Sequence, residues 1–600
     1  MGVDVSIQEG IVAWSPPRAG MRVVALISGG KDSTYAMMKC VEHGYSVVAL
    51  ANLYPPTKYG EEMDSFMFQT VGHAHVDAIA QAMELPLFRR EIVGGSVNQS
   101  LRYDQTDGDE VEDLHALLSD VLMRMPDVQA VCTGAVLSNY QRSRVETVCE
   151  RLGLASLAFL WQREQAPLLA EMVGAGVRAV VVKVASLGLT RAHLGRTVGE
   201  LQPTFHKLNA RFGFHVCGEG GEYETFTLDC PLFKKRLEPL ELLVIEHSSD
   251  VSLLSFGSIS LCEKTGDAAG EGGSGEQDEA ADDDADDADD ADDADAADDD
   301  AVPPPLLPFD AREGRWVMSM PAEEEEPAAV PAAAAEGAEG AEPPPSAVSA
   351  DLGDGLVHVA VHGRARASDG AGQPASTPAE QLTAALTAMR EALGVLGLGL
   401  GDVLLLRLYV ADMGEYQAVN AAFSKVFAGS SPAARVAVQL PLRSAGAAGA
   451  AGCGVAVEGV AWSGEKRLLH VQSLSEWAPR MIGPYCQLTV GAGTCHVAGS
   501  LGLVPPSMTL VGGGAAAQAA LALRNCAAVL DGLAMRAADA CSLVLYVTDA
   551  ADAAPVHAVA TRWLQRVSSV SIGAAAEQLP PMLLLQVGAL PMGGASNLLY

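Results

Sequence analysis

The run Ser28-Gly29-Gly30-Lys31-Asp32-Ser33 follows the apolar stretch Val23-Val24-Ala25-Leu26-Ile27, and this order of residue types is that of a phosphate-binding turn. Two glycines let backbone N–H groups close around an anion. A helix that starts directly after them presents its unpaired donors and positive dipole end to the same point. Ser28 and Ser33 add hydroxyl donors, Lys31 adds a cation, and Asp32 supplies a carboxylate able to hold a Mg²⁺ that bridges phosphate oxygens. The pattern is not GxxxxGK[ST], so this is no Walker A loop. A plain strand-to-helix turn would explain the glycines but not the four polar residues around them.

Three more segments carry chemistry-bearing types. Asp64-Ser65-Phe66-Met67-Phe68-Gln69-Thr70-Val71-Gly72-His73 opens a helix, and a segment from Gly134 that contains Tyr140, Arg142 and Arg144 follows a strand. In Cys217-Gly218-Glu219-Gly220-Gly221-Glu222-Tyr223-Glu224-Thr225, three glycines mix with three glutamates. His73 and His75 are two apart, which on a helix points them in different directions and argues against a metal pair.

The elements that must position these groups belong to an α/β fold. Apolar, β-branched runs at 23–27, 47–50, 128–132, 180–184 and 242–245 alternate with helical stretches, which predicts a mostly parallel sheet covered by helices. That domain should span residues 21–250, with 1–20 as an N-terminal extension. Residues 264–350 pass from Gly through Ala/Asp triplets to Pro and Glu, a composition that cannot offset its ordering entropy and predicts a disordered acidic linker. Two stretches, 351–465 and 468–600, then repeat one layout: a strand, an Ala/Leu-rich helix, a strand ending at Asp412 or Asp549, and a second helix. The repeat predicts an internal duplication.

The loop resembles that of the PP-loop ATP pyrophosphatases (HUP-type parallel sheets), whose SGGxDS signature implies ATP as the bound phosphate donor. With the other three segments it closely resembles the diphthine–ammonia ligase family over 21–246. The resemblance implies that Ser28, Gly29, Gly30, Lys31, Asp32 and Ser33 bind ATP with Mg²⁺ at Asp32, and that Gly134 lies beside the nucleotide. The expected reaction is amidation of diphthine on elongation factor 2 with ammonium, through an acyl-adenylate, releasing AMP and pyrophosphate. Glu219, Glu222 and Glu224 would then face the reaction. Carboxylates beside phosphates are costly without a cation, so Mg²⁺ binding, ammonia capture or deprotonation of ammonium is expected of one or more of them; an exposed acidic turn is the alternative. Tyr140, Arg142 and Arg144 would suit a pocket for the diphthine carboxylate or the α-phosphate, or else salt-bridge on the helix surface. Other acceptors, a nucleoside or small metabolite, and nucleotide binding without turnover remain open.

The segments Met481-Ile482-Gly483-Pro484-Tyr485-Cys486-Gln487 and Ala498-Gly499-Ser500-Leu501 resemble the Rid family of small α/β deaminases. In that family an arginine after Pro-x and a later glutamate form the site. The first unit has Pro432-Ala433-Ala434-Arg435 and Glu458 without the Gly-Pro-Tyr segment; the second has Tyr485 without an arginine near Ser571. Neither half is complete, so a composite site in which Tyr485 faces Arg435 is one expectation, and two degenerate docking scaffolds the other.

The charge excludes some partners. Of the net −36, residues 271–350 carry 26 acidic and two basic residues, leaving only −12 for the rest. No segment has the clustered Lys and Arg of a nucleic-acid binder. Eleven scattered cysteines with no CxxC pair indicate neither a disulfide framework nor a zinc ribbon. No apolar run reaches membrane-spanning length and no signal-peptide pattern opens the chain, so a cytoplasmic protein is expected.

Overall fold

The computed structural model describes residues 20–56, 67, 72–100, 103–185, 188–247, 251–264, 347–353, 355–362, 377–427, 433–442, 453–569 and 579–599. The extension, nearly all of the acidic linker, most of the segment 64–73, Pro432 and Ser571 lie outside them. The described residues up to Cys262 and from 347 onward belong to one compact unit.

The first layer contains β1 (Arg22–Leu26), α1 (Lys31–Glu42), β2 (Ser46–Tyr54), α2 (Val76–Met83), β3 (Leu87–Glu91), α3 (Glu110–Arg124), β4 (Ala130–Cys132), α4 (Asn139–Leu152) and β5 (Ala155–Leu157). Its strands are all parallel, in the order β3-β2-β1-β4-β5. Alternation decides the packing: Val23 and Ala25 enter one apolar cluster, and Val24 enters another on the opposite face. A strand buried on both faces must be apolar along its buried length, and β1 is from Val23 to Leu26. The chain runs outward from β1 to β3, then crosses back to β4. The carboxyl ends of β1 and β4 therefore flank a topological switch point, where open α/β sheets bind ligands.

The apolar runs at 180–184 and 242–245 do not continue this sheet, contrary to expectation. After α5 (Gln165–Gly174), β6 (Arg178–Ala185), α6 (Val198–Phe212), β7 (Tyr223–Asp229), β8 (Lys235–Glu246) and β9 (Val251–Glu263) build a separate four-stranded sheet, β7-β6-β9-β8. There β6 pairs antiparallel with both β7 and β9. An apolar β-branched run reports a strand, but neither the direction of its partner nor its burial. Leu242 and Leu243 on the edge strand β8 are exposed. Strand β9 also carries the fold past residue 250.

Beyond the linker, β10 (Ala347–Gly353), β11 (Leu356–His362), α7 (Pro378–Val395), β12 (Val403–Val410), α8 (Tyr416–Val426), β13 (Ala434–Gln439) and β14 (Val455–Trp462) form a sheet ordered β10-β11-β14-β12-β13. The last unit opens with β15 (Arg467–Leu469), β16 (Leu488–Gly491), β17 (Thr494–Val497), β18 (Ser500–Leu501), β19 (Leu503–Val504) and β20 (Thr509–Leu510). It continues with α9 (Gly514–Asp531), β21 (Leu543–Val547), α10 (Ala553–Ser569), β22 (Met582–Gln586) and β23 (Ser596–Leu599). The two units share a pairing pattern: β12 lies parallel to β13 and antiparallel to β14, as β21 does to β22 and β23. Asp412 and Asp549 even make the same turn, accepting from Gly414 N at 2.8 Å and Ala551 N at 2.9 Å. No helix among the described residues is long and apolar enough to cross a membrane.

Candidate active site

The glycine loop lies between the carboxyl ends of β1 and β4, with β7 beneath it. Thr227 N donates to Gly29 O at 2.9 Å, and Asn52 Nδ2 donates to Ile27 O at 2.9 Å. Lys31 N donates to Thr225 Oγ1 at 3.1 Å, while Thr34 Oγ1 reaches Gly30 O and Thr227 Oγ1, each at 3.1 Å. Helix α1 starts at Gly30 with no side-chain cap, so its first turn keeps donors for a ligand. Two glycines are steric necessities. Gly29 has φ +96°, and a Cβ there would lie 3.0 Å from the Phe226 ring; at Gly134 it would lie 2.6 Å from Ser33 N and 2.7 Å from the Asp32 carbonyl carbon. Gly134 thus touches the backbone at the start of α1 itself. The anchors Asn52, Thr225 and Thr227 escaped the sequence reading as site residues; the Thr-x-Thr alternation after the glutamate-rich loop was the one signal for two of them.

Lys31 is almost fully buried, its Nζ donating to Asp32 Oδ2 at 2.8 Å and Cys217 O at 2.6 Å and lying 5.2 Å from the centre of the Tyr223 ring. Burial works against its charge, but the Asp32 carboxylate and the neighbouring Tyr223 and Cys217 outweigh it and hold the ammonium above its ordinary pKa. Asp32 Oδ1 is buried without a hydrogen-bond partner. Glu219 stands close by: burial first, then the Asp32 charge, pushes its carboxyl up to about 7, and its Oε2 accepts from Leu137 N at 3.2 Å.

The three glutamates do not form the single cluster expected of them. Glu222 is buried, with Oε1 accepting from His215 N at 2.9 Å and Oε2 without a partner. Glu224 is ion-paired to Lys183 at 3.1 Å. On β7 it alternates with Tyr223 and Thr225, the residues that meet Lys31, and so projects from the other face. Alternation along a strand, invisible when the motif is read as a loop, separates it. No group of three or more potential metal ligands occurs among the described residues. Magnesium needs none, since one or two carboxylates plus substrate phosphates ordinarily hold it, and the unpartnered Asp32 oxygen fits that role.

The expected carboxylate or α-phosphate pocket at Tyr140, Arg142 and Arg144 is corrected by the structure. Arg144 is fully buried; its guanidinium stacks 3.2 Å from the Tyr140 ring centre and donates to Asn98 O, Ser100 O and Tyr140 O. Arg142 donates to Glu146 Oε2 at 2.6 Å and His470 O at 3.1 Å, over the Trp161 ring at 4.4 Å. Both arginines bind protein groups, because α4 is buried on two sides. His73 and His75 fall in a short 3₁₀ turn before α2, and His75 Nε2 pairs with Phe256 O at 2.9 Å.

In the C-terminal pair, Arg435 and Tyr485 do meet: the guanidinium carbon lies 4.9 Å from the Tyr485 ring centre. Arg435 Nη2 donates to Tyr416 OH at 2.9 Å and Asn420 Oδ1 at 2.8 Å, and Nη1 is buried without a partner. Burial pushes the Tyr485 hydroxyl up to about 12. Glu458 is not brought to them. Cross-strand register aligns it with Arg407 and Val436, whereas Arg435 stands in the next row beside Leu406, and adjacent rows face opposite sides of a sheet. Glu458 instead accepts from Tyr409 OH at 3.0 Å and pairs with Arg407 and His358. None of the eleven cysteines forms a disulfide.

Comparisons with known proteins agree with this division. The diphthamide synthase N-terminal domain matches residues 21–156 and its C-terminal domain residues 164–250. The endoribonuclease L-PSP family matches residues 352–449 and 475–595. A diphthine–ammonia ligase of Danio rerio is 53% identical over 251 residues, 41% of this chain and 98% of its own length. One of Schizosaccharomyces pombe is 36% identical over 579 residues, 95% of this chain and 86% of its own, and so spans the C-terminal pair as well. A 2-iminobutanoate/2-iminopropanoate deaminase of Bos taurus is 31% identical over 117 residues, 20% of this chain and 77% of its own. A glycine loop at the switch point, matched with its neighbours across nearly the whole of such a relative, leaves one conclusion: the chain belongs to the diphthine–ammonia ligase family.

Proposed function

We propose that the chain uses ATP to amidate the diphthine side chain of elongation factor 2 with ammonium, in the cytoplasm, through an acyl-adenylate and with release of AMP and pyrophosphate. The observation that carries this reading is the pairing of a buried Lys31 with Asp32, whose second oxygen is unpartnered, at the start of an uncapped helix. Lys31 and the loop amides would meet the ATP phosphates, stabilising the charge that develops on departing pyrophosphate. Asp32 would hold Mg²⁺, which supplies charge neutralisation to the phosphate oxygens when bound. Glu219, desolvated beside Asp32, suits capture of ammonium and removal of its proton, since a carboxyl near 7 can hold and release a proton at neutral pH. Glu222 would steady the His215 turn, and Glu224 the β6–β7 pair.

The test is the carboxylate-to-amide mass change of purified diphthine-bearing elongation factor 2 after incubation with ATP, Mg²⁺ and ammonium. AMP release without that change would favour a nucleoside or metabolite acceptor; nucleotide binding without AMP would favour a binding protein. For the C-terminal pair, the unpartnered Nη1 of Arg435 beside Tyr485 supports a composite Rid-like site, which ammonia release from a 2-imino acid would test. Loss of that release in Arg435→Lys is the expected result.

A further inference from the structure

The C-terminal pair does not merely adjoin the ligase domain. Residues 470–478, between β15 and β16 of the last unit, extend the ligase sheet. Leu474 bridges Leu157 in parallel, with Ala158 N donating to Leu474 O at 2.8 Å and Leu474 N to Ser156 O at 2.9 Å. Glu146 on α4 accepts from Ser473 N at 2.7 Å and Ser473 Oγ at 2.6 Å. Trp161 meets Trp477 edge-on at 4.7 Å.

One contact of this strap reaches the ATP-loop helix. Glu476 lies 2.9 Å from Lys39 Nζ and 3.0 Å from His43 Nε2, the last-turn and C-cap residues of α1, and pairs with Arg163. Burial works against the Glu476 charge, but hydrogen bonds from His43 and Lys39 prevail and hold its carboxyl down to about 2. Helix α1 has twelve residues, about 18 Å at the usual rise, and its opposite end carries Lys31 and Asp32. We propose that Glu476 is a positioning residue of the ligase, fixing the far end of α1 and, through that rigid helix, the place of Lys31 and Asp32.

The geometry makes this a lever. Removing the Glu476 charge leaves Lys39, His43 and Arg163 converging on a point with no anion between them; Glu42 and Glu171 hold Lys39 and Arg163 only from the outer side. The sheet bridge and the Glu146 contacts do not involve Glu476, so the strap stays docked while the helix end is freed. A displacement of about 1 Å at catalytic groups can lower a rate by about a hundredfold. The inference rests on the ligase reading only for its rate readout.

The experiment compares Glu476→Gln, Glu476→Asp and Ser473→Ala in the full chain, well below their melting temperatures. We expect Glu476→Gln to lower kcat by about tenfold to a hundredfold and to weaken ATP binding, with KM for the protein acceptor unchanged. Glu476→Asp should restore most of both. Ser473→Ala, which loosens the strap without touching α1, should lower the melting temperature alone. Wild-type kcat and ATP affinity in Glu476→Gln overturn the proposal, and so does an equal loss in Ser473→Ala. If the wild-type chain amidates no acceptor, the function reading fails by itself, and ATP affinity, measured by equilibrium dialysis, still decides the lever.

Discussion

The glycine loop and the strap's docking face both bury charged side chains, and they differ in whether their carboxylates are satisfied. At the docking face Glu146 Oε1 takes donors from Gln472 and Ser473 and Oε2 takes Arg142, while Glu476 takes Lys39, His43 and Arg163. At the loop, Asp32 Oδ1 and Glu222 Oε2 have no partner, and Glu219 is pushed toward its neutral form. A buried carboxylate oxygen without a partner is costly, roughly 1 to 3 kcal/mol or more, and at the loop two such oxygens converge on the uncapped start of α1 and the glutamate-rich turn. Satisfied carboxylates mark construction; unsatisfied ones mark the place of chemistry.

That contrast can be broken experimentally. Glu146→Ala should have the largest effect, destabilising the chain by about 3 to 5 kcal/mol in chemical denaturation, because it leaves Arg142 buried without its anion; a loss under about 1 kcal/mol would mean that the face is not load-sharing. Lys31→Ala or Asp32→Ala should lower the amidation rate by about 10²-fold or more, near 2.7 kcal/mol of barrier. An unchanged rate in both would remove the loop from the chemistry. Gly134→Ala should destabilise by about 1 to 3 kcal/mol through overpacking and weaken ATP binding, since the new methyl meets the backbone of α1; isothermal titration would read the second effect.

Glu219 sharpens the comparison through pH. Its carboxyl rises from the ordinary 4.5 to about 7 in the folded chain, so folding favours its protonated form. The associated stability is whole below about 4.5 and is lost as pH rises to about 7. The melting temperature of the wild type should therefore fall relative to Glu219→Gln across that window and run parallel to it above. A constant gap throughout would place Glu219 in solvent. The smallest effect should come from Glu224→Gln: about 1 kcal/mol or less for a partly exposed ion pair, with the amidation rate intact. A large rate loss there would return Glu224 to the reaction.

The sequence by itself determined the loop, the α/β class and the duplicated C-terminal units, because these are local: a glycine pair between an apolar strand and a helix start, or a repeated strand-helix layout, is encoded in neighbouring residues. Only the tertiary structure decided which groups meet. Glu224 and Thr225 are neighbours in the motif yet face opposite sides of β7, and Arg142 reads as an anion binder until Glu146 and His470 are seen around it. The run at 180–184 is a strand as read, but the sheet it joins depends on partners scores of residues away. The contact of Glu476 with α1 spans more than four hundred residues and has no local signature. Side-chain type and spacing state what a group can do; what it does depends on which partners burial brings within hydrogen-bond distance.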